Sequence, residues 1–386
     1  MNTQRLSFID LDSSATTPVS LGVLDAMMPF FREHYGNPSS PYPLGEQAKE
    51  AVAQARGNLA QFLSAEPREI LFTSGGTESN QTAVRGALSA RPDRKEILVS
   101  AIEHSSILGL KPFLEKEGYK VSILPPTPYG RIDPETVKAA ISENTALVCV
   151  MWVNNETGAI QPVGEILDVA HQAGALVHTD AVAATGKIPI DLSRIRVDSL
   201  SLSGHKIYGP KGIGALFLRK GETFSSLMPG SQERKRRGGT ENVPGIVGLG
   251  QAALEAKEYL ETCIEKTTLL RDHLEESLMD CFPFVRRNGP RESFLRAPHM
   301  TNLGFLGIAA EKLLLDLVRE GIYVSMGSAC SSGSIEPSHV LTAMGQTREE
   351  ALSALRFSLG RSATARDIDR TTTILSGILR EKRRAS

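Results

Sequence analysis

From Glu69 onward, short apolar runs alternate with longer segments in which apolar residues recur every three or four positions. The runs Glu69 to Thr73, Glu96 to Ser100, Lys120 to Leu124, Ala146 to Trp152, Ala175 to His178, Asp198 to Leu202 and Gly214 to Leu218 predict strands. Between them Thr77 to Ala90, Pro134 to Ile141 and Val163 to Ala173 read as amphipathic helices. Strand and helix in alternation predict an α/β fold with a mostly parallel seven-stranded sheet and helices on both faces. Ahead of this region, the first residues up to about Thr17 form a short strand or arm ending in the polar stretch SSATTPV. Met27 to Tyr35 and Gln47 to Leu63 have helical periodicity, separated by Gly36-Asn37-Pro38-Ser39-Ser40-Pro41, which cannot continue a helix. Beyond about Gly250 the texture changes to one long helical stretch, Gln251 to Met279. A smaller α+β unit follows: Met300 to Phe305 as a strand, Glu311 to Glu320 as a helix, and Ala351 to Leu359 leading into Arg356-Phe357-Ser358. The expected division is an arm over 1–15 joining the small domain, a large domain over 16–258 and a small C-terminal domain over 259–386.

Open sheets of this kind collect ligands where their strands end at the carboxyl side. Five strand ends here carry polar residues: Ser74-Gly75-Gly76-Thr77, Glu103-His104, Asn154-Asn155-Glu156, Thr179-Asp180, and Ser203-Gly204-His205-Lys206. A lysine between two apolar runs is a candidate for amine chemistry such as a Schiff base, although a solvated loop lysine is the commoner case. Gly75-Gly76-Thr77, after a strand and before a helix, offers backbone N–H groups and a hydroxyl to a phosphate monoester. It lacks both GxGxxG and GK[ST], which favours neither NAD nor ATP. Ser203 and His205 can add donors. A carboxylate at Asp180 beside an amine and a phosphate site suggests pyridoxal 5′-phosphate, with Asp180 on the ring nitrogen, Lys206 on the aldehyde and His104 stacked on the ring. Taken singly, Asp180 reads as a helix cap and His104 as a packed core histidine.

Composition narrows the picture without redirecting it. The 386 residues are 41% apolar and 23% charged, and 43 basic against 44 acidic residues leave a net charge of −1. That balance predicts no direct nucleic-acid surface and no membrane partner. No stretch reaches the roughly 20 apolar residues of a membrane span, and MNTQRLSFIDLD lacks the layout of a signal peptide, so a cytoplasmic protein is expected. The four cysteines show no CxxC and no metal-ligand spacing. Cys149 lies in the apolar run ALVCVMWV and reads as inert core, while Cys263 and Cys281 flank helical sequence. Cys330 sits in MGSACSSGS, small polar residues with glycines on both sides, which predicts an exposed loop thiol.

The chain resembles the cysteine desulfurases of the NifS and IscS group, in the class V aminotransferase superfamily of pyridoxal-phosphate fold-type I. The likeness runs through LDSSATTPV, GNPSS, FTSGGTESNQ, EHSS, VNNETGAIQPV, HTDAV, SLSGHKIYGPKGIGAL, GSQERKRRGGTEN, GSACSSGS and LRFSLGR. The resemblance implies conversion of L-cysteine to L-alanine, with sulfur captured as a persulfide on Cys330. It implies that Lys206 carries the cofactor aldehyde and shuttles the Cα proton, that Asp180 holds the ring nitrogen and that His104 stacks on the ring. Thr77, Ser203, His205 and the Gly76 backbone would bind the phosphate. Arg356, helped by Asn155 and Asn37, would grip the substrate carboxylate. Thr240 would reach the phosphate across a two-fold interface, which implies a homodimer. No metal is implied. A sulfur-acceptor protein completes the set of partners, from iron–sulfur assembly, tRNA thiolation or DNA phosphorothioation. Two positions depart from the family pattern: Ala183 stands where a glutamine usually follows HTDAV, and Tyr42 follows GNPSSP where a histidine is common. The alternatives are a selenocysteine lyase or aminotransferase on the same cofactor, or a scaffold subunit that has lost it.

Overall fold

The computed structural model describes residues 8–221, 225–327 and 336–384. The strands in chain order are β1 (Ile9–Asp10), β2 (Ile70–Thr73), β3 (Glu96–Ser100), β4 (Lys120–Leu124), β5 (Thr145–Cys149), β6 (Leu176–Asp180), β7 (Ser199–Ser203), β8 (Gly214–Leu218), β9 (Val285–Arg287), β10 (Met300–Phe305), β11 (Ile322–Tyr323) and β12 (Ala354–Ser358). Seven of them form the main sheet in the order β2-β8-β7-β6-β5-β3-β4. β7, β6, β5, β3 and β4 pair in parallel, and β8 runs antiparallel between β2 and β7. The fold is therefore α/β with a mainly parallel seven-stranded sheet. β5, β6, β7 and β8 are buried at every position, because helices cover both faces and the strand sequences need no alternation. At the edge, β4 exposes Lys120 and Ile123, and Lys120 pairs with the buried Glu96 of β3 at 2.6 Å.

The helix boundaries differ from expectation where proline and glycine obscure the period. Pro29 splits the first helical region into Leu21–Met27, capped by the Ser20 hydroxyl, and the short turn Pro29–Arg32. The long helix begins at Val243 rather than Gln251 and runs 37 residues to Met279, about 55 Å at the usual rise. Its start is fixed by Asn242, whose side-chain oxygen accepts from Gly245 N, and by Pro244 in the first turn, where a missing N–H costs nothing.

That helix serves two hydrophobic cores. Ile246, Leu249 and Ala253 join the core under the main sheet, with Leu59 and Leu63 of the Pro43–Leu63 helix and Leu200 and Leu202 of β7. Leu270, Leu274 and Leu278 join a second core with Phe305, Leu313, Phe357 and Leu375. Ile9 and Leu11 also pack into this second core, and β1 pairs in parallel with β11. The chain then leaves β1 through Asp12, which bridges to Ser358, and passes along the carboxyl ends of the main-sheet strands as far as Thr17. Asp12 to Thr17 is thus strung between the second core and the rim where β2, β3, β5, β6 and β7 end.

Candidate active site

A cavity of about 260 Å³ lies at this rim, walled by the strand ends on one side and by Asp12-proximal residues, His299 and Arg356 on the other. Its lining includes Gly76, Thr77, His104, Asn155, Asp180, Ala183, Ser203, His205, Lys206 and Arg356.

Lys206 ends a single 3₁₀ turn, Gly204–Lys206, between β7 and β8. Its Nζ donates to the carbonyl oxygens of Ser14 at 2.5 Å and Ala15 at 2.8 Å. Burial, followed by the Arg356 charge, pulls the amine down to about 8, against the smaller opposing pull of Asp12 and Asp180. A lysine so placed is far easier to deprotonate near neutral pH than a solvated one. The same segment holds His205: Thr16 Oγ1 lies 3.1 Å from its Nδ1, and Thr17 donates to its carbonyl from both N and Oγ1. Burial and the neighbouring Lys206 charge pull the His205 ring down to about 4, so it is neutral at pH 7.

Asp180 closes β6 as a buried carboxylate whose hydrogen bonds come from neutral donors. Asn80 Nδ2 donates to Oδ2 at 2.7 Å and Val182 N to Oδ1 at 2.9 Å. Asn80 is the hinge of a longer network. Its Nδ2 also donates to Ser106 Oγ at 2.8 Å, and Ser106 Oγ lies 2.9 Å from His104 Nδ1. With Nδ2 committed to two acceptors, Asn80 Oδ1 faces His178 Nε2 at 3.0 Å, which makes Nε2 the protonated nitrogen. Burial holds the His178 ring down at about 3, and its Nδ1 meets Ser199 Oγ at 2.9 Å. His104 is itself the cap of the short helix Ser105–Leu108, its Nδ1 accepting from Ser106 N, with the ring exposed to the cavity.

Beneath His104, Glu103 is fully buried. Oε1 accepts from Ser100 Oγ and from Met151 N at 2.6 Å, while Oε2 has no partner among the described residues. Burial, with a smaller push from Asp180, raises this carboxyl to about 8. A carboxyl group buried beside another in low dielectric resists ionisation, so Glu103 keeps its proton at neutral pH.

The turn after β2 is shaped for close backbone approach. Gly75 has φ +156° and ψ −175°, a conformation reserved for glycine. The helix Gly76–Ala90 that follows has no side-chain N-cap, so its first N–H groups and the Thr77 hydroxyl face a surface also lined by Ser203 and His205. β8 supports the turn from below at Gly214, where a Cβ would meet Leu202 O at 2.6 Å and Gly75 Cα at 2.7 Å.

Arg356 reaches the opposite wall from β12. Nη1 donates to Asn155 O at 2.8 Å, Nη2 pairs with Asp12 Oδ1 at 2.6 Å, and the buried Nε has no partner among the described residues. Asn155 thus contributes its carbonyl to Arg356, while its side chain lines the cavity.

Two residues expected at the site, Asn37 and Thr240, do not line this cavity. Asn37 is exposed, its Oδ1 accepting from Ser39 N, and it does not line the cavity of its own chain. The tight Gly36–Ser40 turn holds it there. Thr240 is exposed in a neighbouring depression lined by Thr73, Gly212 and Arg237 rather than in the cavity. Cys330 lies outside the described residues. On either side of it, Gly327 packs against Glu156 and Ser338 Oγ donates to Glu156 Oε2 at 2.5 Å, next to Asn155. Of the two departures, Ala183 lines the cavity, while Tyr42 is exposed ahead of the Pro43–Leu63 helix. As expected of core, Cys149 is buried in β5, and burial holds its thiol well above the usual range.

Sequence reasoning missed Asp12, Ser14, Asn80, Ser106, Lys187, His178 and His299. Asn80 carried a legible signal, one helical turn after Gly76 and hence on the same helix face as the rim. Asp12, Lys187 and His299 carried none, because they arrive from remote parts of the chain.

The description "Aminotransferase class-V" matches residues 9–371. The chain is 45% identical over 382 residues to a cysteine desulfurase of Nostoc sp., covering 99% of this chain and 95% of that one. It is 46% identical over 378 residues to the cysteine desulfurase IscS of Methanosarcina thermophila, covering 97% and 93%. The solved structure of a NifS-like protein superposes with a TM-score of 0.90 at 35% identity, over 96% of this chain and 99% of that one. Fold, rim and likeness agree, and the chain belongs to the class-V aminotransferases, among the cysteine desulfurases of the NifS and IscS type.

Proposed function

We propose that this chain is a pyridoxal-phosphate-dependent cysteine desulfurase that converts L-cysteine to L-alanine and takes the sulfur as a persulfide on Cys330. The observation that carries the reading is the convergence of the Lys206 amine, the Asp180 carboxylate and the His104 ring on one cavity beside an uncapped helix N-terminus. The residues fit the cofactor. The buried Asp180 carboxylate receives only neutral donors and calls for a cationic ring N–H, and the glycine turn leaves bare N–H groups for a phosphate. When bound, pyridoxal phosphate supplies an aldehyde that captures amines and a ring that accepts the electron pair released at Cα.

The chain's own residues divide the remaining work. Lys206 would hold the aldehyde and, once the substrate amine has displaced it and freed its Nζ, would take the Cα proton of the substrate and return a proton to the product. Its amine, pulled down to about 8, is suited to both. Asp180 holds the ring nitrogen, oriented by Asn80, and His104 stacks on the ring with its tilt set by Ser106. Gly76, Thr77, Ser203 and His205 bind the phosphate. Arg356 and Asn155 bind the substrate carboxylate. The Cys330 thiolate would form an S–S bond to the substrate sulfur as the substrate Cβ–S bond breaks, its electron pair staying on carbon to be protonated as alanine, and would present the persulfide to an acceptor protein of iron–sulfur assembly, tRNA thiolation or DNA phosphorothioation. Thr240, outside the cavity of its own chain, acts at the partner's site of a homodimer. The large unit over 16–258 carries the cofactor, and the unit over 259–386, joined by the 1–15 arm, carries Arg356 and Cys330. A cytoplasmic setting accords with free thiols, and among the described residues no helix is long and apolar enough to cross a membrane.

The test is direct. Purified protein loaded with pyridoxal phosphate absorbs in the visible, and Lys206→Ala loses that band. Cys330→Ala keeps the band and the spectral response to L-cysteine but releases no sulfide with reductant. Unchanged absorbance in the first variant, or wild-type sulfide release in the second, overturns the assignment.

A further inference from the structure

The segment Asp12 to Thr17 touches three parts of the site at once. The Ser14 and Ala15 carbonyls hold Lys206, Thr16 and Thr17 hold His205, and the Asp12 carboxylate holds Arg356. The last contact differs from the others in being ionic and in lying against a guanidinium that is only 6% exposed. A desolvated arginine with no counter-charge is costly, and its other partner, Asn155 O, is neutral. Asp12 is itself fixed. Its N–H donates to Asp10 Oδ1, its backbone bridges to Ser358 two residues beyond Arg356, and Ser13 and Ser14 donate to Ser358 O and Oγ. The guanidinium is thus held at both terminal nitrogens, one N–H each, by a backbone carbonyl and by a carboxylate whose own backbone is pinned. Three of its five N–H groups are left, among them the buried, unpartnered Nε.

From this geometry we infer that Asp12 is a positioning residue for substrate recognition: it holds the Arg356 fork so that its unused N–H groups meet the carboxylate of the amino-acid substrate. The inference rests on the reading of Arg356 as the carboxylate grip. A bidentate fork is useful only in a fixed plane, and a buried arginine without Asp12 has a single neutral anchor. Asp12 acts through Arg356 and does not touch the reacting atoms, so its removal weakens binding of ligands that carry a carboxylate far more than that of amines without one, its pull on the Lys206 amine being the smaller effect.

The experiment compares two amines on the cofactor-loaded enzyme, followed by the change in visible absorbance on binding: L-cysteine, and cysteamine, which lacks the carboxylate. Asp12→Ala is expected to weaken L-cysteine binding at least tenfold and raise KM, with kcat within about threefold and cysteamine binding within about twofold of wild type. Asp12→Asn keeps an oxygen acceptor for Nη2 and recovers part of the loss. If Asp12→Ala does not fold, as thermal melting reveals, Asp12→Asn carries the same comparison with a smaller expected loss. Equal weakening for both amines, or unchanged L-cysteine binding in both variants, overturns the inference. A wild-type protein that never acquires the visible band defeats the functional reading instead, and the two failures are told apart by that control.

Discussion

At the scale of single residues, the site is built by charges kept in specified states. Asn80 and Val182 donate to the Asp180 carboxyl group, and Glu103 beside it stays protonated because burial outweighs its two donors. The sign of the pH effect follows. Glu103 titrates near 8 when folded and near the ordinary carboxyl value of 4.5 when unfolded, so the folded state binds more protons between these limits. Its contribution to stability is present at low pH and is lost as pH rises toward 8. Glu103→Gln, which copies the protonated form, is expected to flatten that decline in denaturant midpoints measured from pH 5 to pH 8. A variant that declines as steeply as wild type refutes the assignment. Asn80 makes a second case. A hydrogen bond to a charged group contributes roughly 1.5–3 kcal/mol, so Asn80→Ala should weaken pyridoxal-phosphate binding about tenfold or more in a titration of the apo-protein. Affinity equal to wild type would mean that Asp180 does not depend on Asn80 for its orientation. The residues that declare themselves in sequence, Lys206 and Asp180, stand at strand ends; Asn80 and Glu103 act through burial, which a local reading does not register.

Among elements, the turn from β2 into the Gly76–Ala90 helix shows how a strand end becomes a binding surface. Gly75 adopts a conformation closed to other residues and is braced from β8 by Gly214. Gly75→Ala is therefore expected to cost about 1–3 kcal/mol, read as a lower denaturant midpoint, and to weaken phosphate affinity as the turn shifts. A stability equal to wild type would show that the turn relaxes without loss. The strand runs and most helices here were legible because hydrophobic period and strand length are local properties. The start of the Val243–Met279 helix was not, since Pro244 and the glycines at 245, 248 and 250 look like breakers while a first-turn proline and an Asn242 cap are in fact compatible with a helix. The two-residue strand β11 was equally hidden, being a strand only by virtue of its pairing with β1.

For the whole molecule, the decisive arrangement is that the cavity is shared. The main sheet supplies Lys206, Asp180 and the glycine turn, the second core supplies Arg356 through β12, and the segment Asp12 to Thr17 ties them together. Thr240 is exposed and stands outside its own chain's cavity, so its proposed role needs a second copy. Sedimentation is expected to show a dimer, and Thr240→Ala to weaken phosphate affinity several-fold despite that distance; a monomer with full affinity would remove Thr240 from the site. By itself, the sequence determined the α/β class, the order of strands and helices and the polar strand ends, because apolar period and turn chemistry act over neighbouring residues. Only the tertiary structure decided that Asp12 faces Arg356 across 344 positions and that Asn80 reaches Asp180 across 100. It also decided that Glu103 keeps its proton. Such facts depend on which segments close over one another and exclude water, and no local pattern encodes that.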